Sequence, residues 1–173
     1  MIVAINPALC RFYTGFNEME PATFVCERAN VMDIYDLKSD IQVFGITIAN
    51  FPEGIEAAFQ KLSNMLPSTK DREFYGISQP NQSGTIIYKA MVNALYPNEG
   101  AQYGCESFVI KQGSYLSEKI THFRSNPLLI GKAFQAILKD PRINHKGYCL
   151  EIYRGDNDVL CMVPIDLRKN KSE

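Results

Sequence analysis

Apolar side chains recur every three to four positions in two stretches of the chain and every second position in six others. The first helical stretch carries Ile55, Ala58, Phe59, Leu62, Met65 and Leu66, and Pro67 ends it. Asn50, Pro52 and Glu53 before it read as a cap, a first-turn proline and the acid of a capping box. The second carries Ile130, Ala133, Phe134, Ile137 and Leu138, with Asn126 as cap, Pro127 as first residue and Asp140-Pro141 as stop. Ala58-Phe59-Gln60 and Ala133-Phe134-Gln135 lie 75 residues apart, and at that offset Ile55 meets Ile130 and Leu62 meets Ile137. The helix is written twice.

Alternation predicts strands around each copy. Ile41 to Ala49 precedes the first helix, and Glu73 to Ser78 and Thr85 to Asn93 follow it. Ser107 to Tyr115 precedes the second, and Gly147 to Tyr153 and Val159 to Leu167 follow. The turn-rich runs 79–84 and 154–158 join the paired strands. The expected class is therefore α+β: a duplicated β-α-β-β unit with antiparallel sheets, two helices on one side and a groove at the pseudo-twofold junction. Residues 1–32 fall outside the repeat as an N-terminal appendage, 33–167 form the domain, and 168–173 form a basic tail.

Composition narrows the function classes. With 173 residues, 46% hydrophobic and 21% charged, the chain is globular rather than disordered. No run reaches the roughly 18 apolar residues of a membrane span, and Met1 to Cys10 lacks a signal pattern. A cytoplasmic location and no membrane partner are expected. A net charge of −1 and a lone basic cluster at Arg168-Lys169-Asn170-Lys171 argue against direct nucleic-acid binding. The five cysteines are scattered and without Cys-x-x-Cys spacing, which points to free thiols rather than disulfides or zinc. His122 and His145 are far apart and assemble no metal site or triad, and no phosphate-binding loop is present, so neither cofactor nor metal is expected.

The most informative short run is Tyr148-Cys149-Leu150-Glu151-Ile152-Tyr153. On a strand, Leu150 and Ile152 share one face and Cys149, Glu151 and Tyr153 the other. A helix over the Leu150/Ile152 face would leave Glu151 looking toward the other half of the molecule. A carboxylate enclosed by apolar and aromatic groups must find a partner or shift toward its neutral form. As an anion it selects cationic aromatics; as a poised acid or base it moves protons.

Phe51-Pro52-Glu53-Gly54-Ile55, Ala58-Phe59, Phe74-Tyr75-Gly76-Ile77, Gly113-Ser114-Tyr115, Ala133-Phe134-Gln135 and Cys149-Leu150-Glu151-Ile152-Tyr153 together resemble the GyrI-like small-molecule-binding family. That family includes the effector-binding domain of bacterial multidrug-responsive transcription activators. The resemblance implies a ligand pocket at the pseudo-twofold junction with Glu151 as its acid. It further implies small lipophilic, cationic or aromatic ligands, bound by a sensor or sequestering protein. Tyr153, Tyr88, Tyr75, Phe108 and Cys149 are the other pocket candidates. The same resemblance leaves a second activity open, hydrolysis of strained cyclopropane-type electrophiles by Glu151 with Tyr153 or Tyr88. Lys89 departs from the acidic residue that related sequences often carry after this aromatic, and is expected either at the surface or reaching toward Glu151. Residues before Asp33 offer spare surface for a protein partner or self-association.

Overall fold

A computed structural model describes residues 32–48 and 51–166. The strands are β1 (Asp33–Leu37), β2 (Ile41–Ile48), β3 (Phe74–Pro80), β4 (Ile86–Asn93), β5 (Glu106–Ile110), β6 (Gly113–Ile120), β7 (Cys149–Arg154) and β8 (Asp158–Pro164). Helix α1 spans Ile55–Met65, the single turn α2 Glu99–Gln102, and α3 Leu128–Ile137. All described strands join one antiparallel sheet in the order β1-β6-β8-β7-β3-β4-β2-β5.

That order reads as a palindrome of two units. β2-α1-β3-β4 and β6-α3-β7-β8 are each a β-α-β-β repeat, and they meet where β3 pairs with β7. The helix offset of 75 places the pseudo-twofold axis at the Gly76 and Glu151 pair, which are register partners. The duplication expected from the apolar pattern is present.

Two strands extend the expectation. β1 precedes β2 in sequence but pairs with β6, and β5 precedes β6 but pairs with β2. Each repeat thus lends its leading strand to the other. Only Lys38 to Asp40 separate β1 from β2, although they lie near opposite ends of the sheet order. Four peptide steps span at most about 14 Å. The sheet must roll into a half-barrel for so short a link to close. Asp40 fastens the two crossings, accepting from Gln112 N at 2.8 Å and Lys111 Nζ at 2.9 Å.

Because the sheet rolls up, both of its faces are buried. Its concave side is filled by Val43, Tyr75, Ile77, Met91, Ile110, Tyr115, Leu150, Ile152, Leu160 and Met162, with no helix contributing. Both long helices pack on the other side. Ala58 of α1 lies against Ile48, Tyr88 and Ala90, and Leu62 against Phe44 and Val92. Ile130, Ala133, Phe134 and Ile137 of α3 lie against Leu116, Cys149, Val159, Cys161 and Val163.

The elements differ from the sequence reading at their edges. The strand expected over Ser107 to Tyr115 is two strands, broken at Lys111-Gln112 where the chain crosses between halves. Helix α3 starts at Leu128, and the Asn126 backbone carbonyl, not its side chain, receives Leu129 N at 3.2 Å. Gly54 occupies the cap position of α1 without a side-chain bond, and Asn50 lies outside the described residues. The appendage, apart from Met32, and the basic tail lie outside them too. Among the described residues no helix is long and apolar enough to cross a membrane.

Candidate functional site

Strand parity builds the site. Cys149, Glu151 and Tyr153 point to one face of β7, Gly76 to the same face of β3, and Tyr88 and Ala90 to the same face of β4. This is the face that the helices cover, not the one opposite them. The expectation that a helix would lie over Leu150 and Ile152 is overturned, because those two belong to the half-barrel interior. Glu151 instead sits at the floor of the seam between α1 and α3.

Its surroundings are aromatic. Tyr88, fully buried, donates its hydroxyl to Glu151 Oε2 at 2.6 Å, and Tyr153 donates to the same oxygen at 2.5 Å. The two phenol oxygens stand 3.4 Å apart. Phe51 stacks on Tyr88 with centroids at 5.3 Å and planes at 16°. Phe59 of α1 meets Tyr153 edge-on at 5.2 Å, and Phe123 meets it at 5.4 Å. Phe51, Phe59, Phe123 and Tyr153 are half-buried, whereas Glu151 is 3% exposed. A rim of rings stands over a buried acid.

Gly76 makes this possible. A Cβ on Gly76 would lie 2.1 Å from the Tyr88 hydroxyl and 2.5 Å from Glu151 Oε2. Any side chain at that position would fill the place where the carboxyl and the phenol meet. Axis geometry thus gives the site one acid: Glu151 from the second repeat faces a bare backbone from the first.

Burial raises the Glu151 pKa, and the Tyr153 and Tyr88 hydrogen bonds only partly oppose it. Both phenols are held well above their ordinary range, first by burial and then by the neighbouring carboxylate. The Cys149 thiol is pushed up to about 12, chiefly by burial and further by Glu151. It is therefore a packed thiol rather than a nucleophile at neutral pH. Cys161 is the cross-strand neighbour of both Glu151 and Glu118, so a second buried acid lies two strands away on the same face. Burial raises the Glu118 pKa as well.

The structure brings Glu151, Tyr153, Tyr88 and Cys149 together on one face, but not Tyr75 or Phe108. Tyr75 neighbours Gly76 and so points the other way, into the half-barrel, where its hydroxyl donates to Glu73 at 2.7 Å. Phe108 lies on that inner side too, edge-on to Tyr148 at 5.2 Å. Lys89 points away from Tyr88 and pairs with Glu106 on β5. His122 and His145 are exposed, and among the described residues no cluster of His, Cys, Asp and Glu could hold a metal. Sequence reasoning did not single out Gly76, Phe123 or Glu118 for the site. The glycine's signal was its place in the β3 pattern opposite Glu151.

No protein-family model matches the chain, and no curated protein matches it in sequence. Solved structures do match in fold. SAV2435, whose structure was solved bound to tetraphenylphosphonium, superimposes with a TM-score of 0.62 at 13% identity, covering 82% of this chain and 98% of that one. An integron cassette protein from the mobile metagenome of Vibrio cholerae gives 0.59 at 15%, covering 78% and 95%. A putative transcription regulation protein from Staphylococcus aureus MU50 gives 0.54 at 12%, covering 80% and 99%. The chain shares the fold of these proteins. The resemblance drawn from its sequence motifs is matched at the level of architecture, duplicated unit included.

Proposed function

We propose that this GyrI-like chain is a cytoplasmic binder of small lipophilic cations, a sensor or sequestering protein with Glu151 as anchor. One observation carries the reading: a carboxyl buried at the seam has two phenols for partners and a rim of aromatic rings around it. An acid left in that setting is costly as an anion, and a cation entering among the rings supplies the missing charge. Ring faces add their own attraction for positive charge, and an apolar ligand body gains from leaving water. That SAV2435 was solved with tetraphenylphosphonium supports the ligand class chosen. Calorimetry with tetraphenylphosphonium on wild type and Glu151→Gln tests it. The variant should bind at least about tenfold more weakly; equal affinities would remove the anchor role.

A hydrolytic reading draws on the 2.5 Å contact between the Tyr153 hydroxyl and Glu151, since a carboxyl and a phenol in contact could activate water and steady a leaving oxygen. Mass spectrometry after incubation with a cyclopropane-bearing electrophile decides it, and unchanged substrate would end it.

A further inference from the structure

The two oxygens of Glu151 are not equivalent. Tyr88 and Tyr153 both donate to Oε2, which is also the oxygen turned toward the bare backbone of Gly76. Oε1 takes neither phenol. An oxygen that already accepts two hydrogen bonds is a poor place for a further donor, so Oε1 is the oxygen left for a donor from outside the chain. We propose that the site is built for cations that carry an N–H, namely protonated amines and amidines with an aromatic body, and discriminates against cations of the same shape without one. The inference rests on the cation-binding reading of the site and refines it.

The argument is one of complementarity. A donor-less onium ion sees Glu151 only as a charge among rings, and leaves Oε1 without a hydrogen bond after removing it from water. An ammonium N–H aimed at Oε1 completes the carboxylate, giving it three donors in all, two phenolic and one from the ligand. The rim rings Phe51, Phe59 and Phe123 then hold the aromatic body.

The test pair is protonated N,N-dimethyl-1-naphthylmethylamine and its N-methylated quaternary counterpart, titrated calorimetrically at pH 7 into the full chain. The tertiary ammonium should bind about ten- to a hundredfold more tightly. Glu151→Gln supplies the internal check. The two phenols hold the amide oxygen on their side and turn its NH₂ toward the ligand, so the gap should close or invert. Equal binding of the two ligands to wild type, or tighter binding of the quaternary ion, overturns the inference and leaves the cation-binding reading standing. Failure of both to bind wild type overturns the two together.

Discussion

Two carboxyls of this molecule are almost equally hidden and are treated in opposite ways. Glu99, 1% exposed, receives both terminal nitrogens of Arg72, Nη1 at 2.9 Å, and the backbone N–H of Leu95 at 2.8 Å. Arg72 also reaches the Asn93 carbonyl at 2.8 Å and lies over the Phe44 ring. Its hydrogen bonds hold the Glu99 carboxyl below the usual range, against the opposing effect of burial. Glu151, 3% exposed, is given two phenols, and burial drives it the other way. A fork of guanidinium bonds finishes the first acid inside the fold, clamping the loop around α2 to the end of β4. The second, on the proposed reading of the site, is left for a ligand to finish. Depth alone therefore says nothing about role; the partner supplied does.

The largest effect that could break this contrast is expected at the clamp. Arg72→Met should cost about 3–5 kcal/mol in urea unfolding, because Glu99 would be left charged and buried. A loss below about 1 kcal/mol would mean the pair is not what fixes the loop. Next comes Gly76→Ala, whose methyl would overlap the Tyr88 hydroxyl and Glu151 Oε2. It should lose about 1–3 kcal/mol and weaken binding of tetraphenylphosphonium together with stability. Unchanged affinity would separate the glycine from the site.

The smallest effect is the sharpest in sign. A carboxyl whose folded pKa is raised contributes stability that is complete below its unfolded value, about 4.3, and is lost as pH climbs through the folded value. Glu151→Gln should thus match wild type near pH 4 and gain about 2–5 °C in thermal midpoint by pH 8. Glu99 runs the other way: with its folded pKa lowered, its contribution is present above about 4.3 and is lost as pH falls through the folded value. A Glu151→Gln midpoint that does not rise with pH relative to wild type would show the acid to be satisfied without a ligand.

Much of the architecture was legible because long apolar stripes are decisive. The stripes of α1 and α3 land on the core, with Ala58, Leu62, Leu66, Ile130, Ala133, Phe134 and Ile137 all buried. What the pattern could not tell was which side of the sheet the helices take. Leu150 and Ile152 are the apolar set of β7, so a one-sided sheet would turn them to the helices. A half-barrel has an interior of its own, and that interior claimed them, sending Cys149, Glu151 and Tyr153 to the helix side. The same unseen curvature drew Tyr75 and Phe108 away from the acid. β1 escaped notice because five residues with Ile34 and Asp36 exposed carry little alternation. The Arg72–Glu99 clamp is invisible to pattern reading, since 27 residues separate the partners.

The exchange of leading strands bears on how such a seam can arise at all. Two separate, identical chains assembled about this axis would oppose like with like there: two carboxyls repelling across neighbouring strands, or two glycines with no acid between them. Joining the copies in one polypeptide frees the two central positions to diverge, so that one keeps the glutamate and the other gives up its side chain to make room. The interlaced edge strands bind the two copies further, for a chain cut between the repeats would leave each half carrying a strand that pairs with the other.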